Sequence, residues 1–167
     1  VCTDRCFSMS RFITRFADVV KIPEPHLVPV NLNDLVFSCK RFMEGMCADR
    51  NITITLDIDE ELGEVKLDVA LFEQVLVNII KNAAESIEQN GEIKIRTYSP
   101  GGIEVADNGK GITKETEAKL FSPFFSTKPN GQGIGLIFIR EVLMRHGCSF
   151  SLRTYADGWT RFRMLFN

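Results

Sequence analysis

The chain has 167 residues, enough for one ordinary domain with a substantial hydrophobic core. Hydrophobic residues make up 44% and charged residues 25%, so the composition excludes an intrinsically disordered chain. A formal net charge of −2 argues against a dedicated nucleic-acid-binding domain, which is usually clearly basic. No apolar run approaches the roughly 18 residues of a membrane span. Five cysteines without a CxxC pair predict reduced thiols, and we therefore expect a cytoplasmic domain.

Apolar residues at the start of the chain follow a heptad pattern. Their spacing predicts a helix over residues 1–22 that packs against partner helices. The residues are Cys2, Cys6, Met9, Ile13, Phe16 and Val20. An ordinary amphipathic helix that docks on its own domain is the alternative. Three prolines within residues 23–30 then predict a short, stiff linker to a domain over residues 31–167.

Helical and strand patterns alternate through the rest of the chain. Asn31 or Asn33 is the predicted cap of a first helix, and alternating apolar residues predict a strand over residues 52–58. A longer helix is expected from about residue 68 to 89, followed by two strands, the second of which ends at Asp107. A helix over about residues 133–146 and a final strand pair complete the chain. This order predicts an α+β, two-layer sandwich.

Two motifs near the middle of the chain carry candidate chemistry. Asn78, Asn82 and Glu85 share one helix face, which is also the pattern of a solvated surface. Asp107 ends a strand and opens the sequence DNGKG. A carboxylate at this position can accept a hydrogen bond from an exocyclic amine, and the glycines allow a flat ring to approach the backbone. A simple β-turn is the alternative for this second motif.

Two further motifs follow in a region rich in glycine and proline. Residues 121–128 place aromatic rings beside a cation, as in a hinged lid, although such rings are also typical of a core. Residues 131–136 place glycines before a helix, where their N–H groups form a phosphate cradle or simply cap the helix. This sequence is neither a Walker A loop nor a clean Rossmann fingerprint.

In this order the four motifs resemble the N, G1, F and G2 boxes of sensor histidine kinases. They resemble more broadly the superfamily shared with DNA gyrase, the heat-shock chaperone and the mismatch-repair protein. The motifs are NIIKNAAE (78–85), DNGKG (107–111), FSPFFSTK (121–128) and GQGIGL (131–136). The resemblance covers about residues 31–167 and implies a Bergerat-type ATP-binding fold, with a mixed, largely antiparallel sheet packed on three helices. It also implies that residues 1–22 end a dimerisation and phosphotransfer helix.

The resemblance implies a role for each matching residue, with ATP and Mg²⁺ as cofactors. Asn82 would bind the metal, and Asn78 would lie near the phosphates as one of two catalytic residues. Asp107 would accept a hydrogen bond from the adenine amino group, in a pocket that Gly111 and Thr160 complete.

The resemblance places the phosphate contacts farther along the chain. Lys128, the second catalytic residue, and the backbone around Gly133 and Gly135 would hold the phosphates. Lys81 is a further candidate for phosphate contact, and an ordinary solvated lysine is the alternative at this position. The remaining candidates for nucleotide contact are Gly109, Ile112, Thr127, Gly131 and Leu136.

One residue distinguishes between the activities of this superfamily. Members that hydrolyse ATP resemble each other in carrying glutamate four residues before the metal-binding asparagine, where this chain has Asn78. An amide cannot act as a general base, which favours transfer to a histidine, whose neutral imidazole is already nucleophilic. The resemblance therefore implies the catalytic ATP-binding domain of a two-component sensor histidine kinase. A non-catalytic nucleotide-sensing module of the same fold is the alternative.

The two histidines of the chain are poor candidates for the phosphate acceptor. His26 lies between prolines and His146 at the end of the last predicted helix, and neither belongs to a His-Glu helical motif. The acceptor is therefore expected on a phosphotransfer domain of the same protein that precedes residue 1. The expected partners are that domain, a response regulator and a second copy bound through the N-terminal helix. Membrane attachment of the parent protein is left open.

Overall fold

The computed structural model describes residues 23–120 and 135–166. The predicted helix over residues 1–22 and most of the last two motifs lie outside the described residues. The strands are β1 (Val28–Asn31), β2 (Ile52–Asp57), β3 (Glu64–Leu67), β4 (Gly91–Tyr98), β5 (Gly102–Asp107), β6 (Ser149–Thr154) and β7 (Thr160–Leu165). The helices are α1 (Leu32–Asp49), α2 (Val69–Ile87), α3 (Lys114–Glu117) and α4 (Gly135–Arg145).

A five-stranded sheet in the order β2-β4-β5-β7-β6 forms one layer. Strands β2 and β4 are parallel, and every other neighbouring pair in this sheet is antiparallel. Helices α1, α2 and α4 contribute buried apolar residues to a single core against the sheet. The expected two-layer α+β sandwich, with a largely antiparallel sheet on three helices, is confirmed.

Helix α1 begins at one of the two predicted capping residues. The Asn31 side chain accepts a hydrogen bond from the backbone N–H of Asp34 at 3.1 Å, so Asn31 is the N-cap. Asn33 is buried instead. It accepts a hydrogen bond from the Thr97 hydroxyl at 2.8 Å and donates one to the backbone carbonyl of Asp59 at 2.9 Å. This network joins the start of α1 to the end of β4.

Helix α2 forms the centre of the helical layer, as its apolar periodicity predicts. Its buried face includes four of the five apolar residues expected there, and the fifth, Ile87, is partly buried against the core. The four are Phe72, Val75, Ile79 and Ala83. Asp68 caps the helix by accepting a hydrogen bond from the Leu71 N–H at 3.1 Å.

Asp68 also connects the start of α2 to two distant parts of the chain. Its carboxylate accepts a hydrogen bond from the backbone N–H of His26 at 2.9 Å. Its own N–H donates to His146 Nε2 at 3.0 Å, and His146 Nδ1 lies 2.7 Å from the Val142 carbonyl. Because the Asp68 N–H can only donate, Nε2 is the acceptor and Nδ1 is left to donate to the Val142 carbonyl. Both ring nitrogens are therefore engaged within the fold.

The linker expected over residues 23–30 is shorter in the structure. Strand β1 begins within it and pairs antiparallel with β3, a strand that the sequence pattern does not predict. Each strand has four residues, too few to show a clear alternation. Pro29, which lacks an N–H donor, is tolerated because β1 is an edge strand of a separate two-stranded sheet.

The described residues include three of the five cysteines and all the helices named above. Cys39, Cys47 and Cys148 are buried and unpaired, as expected for reduced thiols. Burial raises the pKa of Cys39 to about 11 and that of Cys148 to about 12. Among the described residues, no helix combines the length and apolarity needed to cross a membrane.

Candidate nucleotide-binding site

A row of inward-facing residues crosses the sheet and changes from apolar to polar. Ile54 of β2 pairs with Ile93 of β4, which pairs with Asp107 of β5, and Asp107 pairs with Thr160 of β7. Thr160 in turn pairs with Thr154 of the edge strand β6. Paired residues share one face of a sheet, so the three polar side chains lie side by side on the face that carries the helices.

Asp107 is a buried carboxylate with little to stabilise its charge. The residue is only 6% exposed, and its one hydrogen bond to the described residues comes from the Gly109 N–H at 2.9 Å. Burial raises the pKa of Asp107 to about 6, and the Gly109 hydrogen bond opposes this effect only in part. A buried carboxyl group with a raised pKa and no cationic partner among the described residues is typical of a functional site.

The loop after Asp107 is docked on the last turns of α2. The Lys110 N–H donates to the Ser86 carbonyl at 3.3 Å. A Cβ added at Gly109 would lie 2.7 Å from the Ser86 carbonyl carbon and 2.8 Å from the Ile87 nitrogen, so only glycine fits. The structure thus gives Gly109 a packing role against the helix, and nucleotide contact at this residue stays a prediction.

Two threonines and the loop backbone form a hydrogen-bonded group beside Asp107. The Ile112 N–H donates to the Thr154 hydroxyl at 2.8 Å, and that hydroxyl lies 2.7 Å from the Thr160 hydroxyl. Gly111 has φ +77°, and a Cβ there would lie 3.1 Å from Thr154. The backbone N–H of Thr154 donates to the Glu117 carboxylate at 3.0 Å. Gly111 and Ile112 are therefore held against the end of the sheet that carries Asp107.

The polar face of α2 runs toward this loop. Asn78 and Asn82 are half-buried, and Ser86 follows Asn82 by one helical turn on the same side. Because the loop docks at Ser86, Asn82 lies about one turn from the Asp107 loop. Lys81 is exposed. The first two sequence motifs are thus brought together.

Only part of the phosphate-binding motif can be placed. Gly135 begins α4, and Leu136 is half-buried against the core. Four predicted site residues lie outside the described residues, namely Thr127, Lys128, Gly131 and Gly133.

Three residues that contact the site were not predicted from the sequence. Ser86 supports the Gly109 loop, and Thr154 and Glu117 support Ile112 and β6. The pairing of Thr154 with Thr160 follows from the register of the last two strands. In the sequence, the short turn between these strands is the one feature that indicates this pairing. Ser86 and Glu117 carry no signal, because only the folded chain brings them to the site.

Comparisons with known proteins agree with this geometry. The family described as Histidine kinase-, DNA gyrase B-, and HSP90-like ATPase matches residues 67–167. The sensor histidine kinase ZraS of Salmonella typhimurium strain LT2 is 28% identical over 150 residues, which cover 87% of this chain and 32% of that protein. The chain thus spans about a third of the length of this curated relative.

Solved structures show the same fold. The catalytic domain of the histidine kinase ThkA superimposes with a TM-score of 0.76 at 30% identity, over 84% of this chain and 95% of that one. ThkA in complex with the response regulator TrrA has a TM-score of 0.75 at 26% identity, over 99% of this chain and 49% of that one. The chain therefore belongs to the histidine kinase-, DNA gyrase B- and HSP90-like ATPase family, as an ATP-binding catalytic domain of the sensor histidine kinase type.

Proposed function

We propose that this domain binds ATP with Mg²⁺ and transfers the γ-phosphoryl group to a histidine on a phosphotransfer domain of the same protein. The observation that carries the proposal is the buried Asp107, which has one N–H donor among the described residues and lies opposite Thr160. A carboxylate in this environment has unused acceptor capacity. In a domain of this family, the amino group of adenine is the donor that it would bind.

The residues around Asp107 fit the base of a nucleotide. Asp107 accepts from the amino group, and Thr160 beside it offers a hydroxyl to the ring. The backbone at Gly111 and Ile112 is held in place by Thr154 and forms one wall of the pocket. Gly109 positions the loop and is the remaining base contact that we propose.

The residues of α2 fit the metal and phosphates. Mg²⁺ is a hard cation that prefers oxygen ligands and usually combines one or two protein groups with phosphate oxygens. The amide oxygen of Asn82 is such a ligand, and when bound the ion would neutralise phosphate charge. Asn78 lies one helical turn before Asn82, and Lys81 immediately precedes Asn82. The further phosphate contacts that we propose are Thr127, Lys128, Gly131, Gly133, Gly135 and Leu136.

Catalysis by this domain would consist of positioning and charge neutralisation. Asn78, in the position where a general base is found in hydrolysing relatives, cannot accept a proton at neutral pH. A histidine needs no such base, because its neutral imidazole is nucleophilic. Both nitrogens of His146 are already hydrogen-bonded, which supports an acceptor supplied by another domain.

The proposed partners follow from the family and from the heptad pattern. Residues 1–22 would end the dimerisation helix, so we propose that the parent protein is a homodimer. A response regulator is the proposed recipient of the phosphoryl group, and the relative ThkA has been solved in complex with one. We propose that the domain acts in the cytoplasm, with any membrane anchor elsewhere in the parent.

Phosphoryl transfer to a supplied domain tests the proposal. The chain is mixed with the phosphotransfer domain of its parent protein and ATP labelled at the γ-phosphate. We expect acid-labile label on that domain, none when its acceptor histidine is replaced by glutamine, and strong loss with Asp107→Asn. ATP binding without any transfer would contradict the kinase proposal and favour the nucleotide-sensing module.

A further inference from the structure

We propose that Thr154 is a positioning residue that makes Thr160 a hydrogen-bond donor toward the nucleotide base, and thereby sets the selectivity of the site for adenine. The inference rests on the proposed ATP site. Thr154 does not face the base itself, because Thr160 lies between Thr154 and Asp107 in the cross-strand row. Its influence on the base would pass through the Thr160 hydroxyl, 2.7 Å away.

The direction of the hydrogen bonds follows from the donors available. A threonine hydroxyl has one proton and can also accept. The Ile112 N–H, which can only donate, points at the Thr154 oxygen at 2.8 Å. The Thr154 proton is then available for the Thr160 oxygen, and the Thr160 proton is free for a base. If Thr160 donated to Thr154 instead, the Thr154 proton would have no acceptor among the described residues.

Two further contacts hold Thr154 in this position. Its backbone N–H donates to the Glu117 carboxylate at 3.0 Å, which fixes the end of the edge strand β6 to α3. Gly111 packs against its side chain, since a Cβ on Gly111 would come within 3.1 Å of the Thr154 methyl and hydroxyl groups. The Thr154 side chain is therefore enclosed between the loop and Thr160.

This direction gives the site an ordered pair of groups. Asp107 accepts and Thr160 donates, directly or through one water. Adenine presents the matching order on its pairing edge, an amino donor beside the N1 acceptor. Guanine presents the reverse, an oxygen acceptor beside an N1–H donor, so polar groups would be left unpaired. Without the Thr154 proton, the Thr160 hydroxyl is no longer held as a donor toward the base, and the preference for adenine over guanine weakens.

The experiment compares ATP with 1-deaza-ATP, in which carbon replaces the N1 acceptor, by calorimetry in the presence of Mg²⁺. Wild type should bind ATP about tenfold more tightly than 1-deaza-ATP. Thr154→Val removes the hydroxyl at similar volume, and should reduce this ratio to within about twofold, mainly through loss of ATP affinity. Thr154→Ser retains the hydroxyl and should restore the ratio. If Thr154→Val does not fold, the smaller Thr154→Ala serves the same purpose.

Thr116→Val is the matched control, because Thr116 is half-buried on α3 and, among the described residues, its hydroxyl has one hydrogen-bond partner, the exposed Thr113. It should leave the ratio unchanged. If Thr154 is merely structural, Thr154→Val lowers the affinity for both nucleotides equally and keeps the wild-type ratio, which overturns the inference while ATP binding stands. If wild type binds neither nucleotide, the proposed function fails and the inference fails with it.

Discussion

Asp107 lies directly opposite Thr160 across the antiparallel β5–β7 ladder, and both residues are only 6% exposed. In the same row, the neighbouring strands contribute Ile93 and Ile54, so the carboxylate lies at the border of the apolar core. Burying a charge that has one N–H donor among the described residues destabilises the folded chain. A ligand amine that reaches Asp107 supplies the missing hydrogen bond, which connects the free energy of folding to the binding of the base.

We predict that Asp107→Asn stabilises the ligand-free protein at neutral pH. Burial raises the pKa of Asp107 from 3.8 in the unfolded chain to about 6, so the folded state binds this proton more tightly. The free energy of unfolding therefore falls as the pH rises from about 4 to about 6, and the charged carboxylate then costs about 3 kcal/mol at most. The amide avoids this cost and still accepts from Gly109.

Urea unfolding of wild type and Asp107→Asn at pH 4.5 and 7.5 measures this effect. The carboxylates with lowered pKa, such as Asp59 and Asp157, change with pH in both proteins and cancel in the difference. The variant should gain stability over wild type mainly at pH 7.5. A difference that does not change between the two pH values would show that Asp107 has an ordinary pKa.

We predict that adenosine binding weakens on acidification through the same group. The carboxylate accepts from the adenine amino group, and its proton competes with that hydrogen bond below about pH 6. Affinity should be roughly tenfold lower one pH unit below the pKa than on the neutral plateau. Calorimetry with adenosine between pH 5 and 8 gives the profile. Asp107→Asn should bind weakly throughout, with a flat profile, and a sloping profile in this variant would assign the titration to another group.

Strong periodicity made the central elements of this fold predictable from the sequence. Helix α2 buries the apolar stripe that its spacing indicates, and Asp107 ends a strand as expected. Strands β1 and β3 were missed, because four residues are too few to show alternation and Pro29 favours a linker. Their pairing depends on contacts between distant residues, which local sequence patterns do not contain.

The site was predictable only where its residues form local motifs. Asp107 and Asn82 belong to such motifs, and the structure brings their two segments together at Ser86. Ser86 and Glu117 show no pattern of their own, since their contacts arise from the docking of a loop on α2 and of α3 on β6. The pKa of Asp107 depends in the same way on burial, which the tertiary structure alone determines.

We predict that Asn82→Ala weakens ATP·Mg²⁺ far more than adenosine. The amide oxygen is the metal ligand that we propose, and a hard cation loses an oxygen partner when it is removed. The loss should be about tenfold or more for ATP·Mg²⁺ and less than about twofold for adenosine. Gln74→Ala, which removes an exposed amide on the same helix, is the control and should change neither affinity. Equal losses for both ligands in Asn82→Ala would exclude a metal-binding role.

We predict that the chain binds ATP without hydrolysing it. Asn78 cannot take a proton from water, so it cannot activate a water molecule to attack bound ATP. Phosphate release, followed colorimetrically with the protein saturated with ATP·Mg²⁺, should not exceed that of a buffer control. Turnover that disappears in Asp107→Asn would contradict this prediction, because it would show hydrolysis at the same site.

We predict that Gly109→Ala destabilises the domain, whereas Gly45→Ala stabilises it. A Cβ at Gly109 would lie 2.7 Å from the Ser86 carbonyl carbon, and backbone of this kind cannot move aside easily. We expect a loss of about 1–3 kcal/mol in the free energy of unfolding. Gly45 lies within α1 with open space around its Cβ position, so alanine there should add about 1 kcal/mol. Urea unfolding of both variants measures the contrast.

The Gly109 variant should also change the chemistry of Asp107. The Gly109 N–H is the hydrogen bond that lowers the pKa of this carboxyl group against the effect of burial. Movement of the loop away from Ser86 lengthens that bond, so the pKa of Asp107 rises further. The midpoint of the adenosine-binding pH profile should therefore move above that of wild type in Gly109→Ala and stay unchanged in Gly45→Ala. An unchanged midpoint in a destabilised Gly109→Ala would separate the packing of the loop from the ionisation of Asp107.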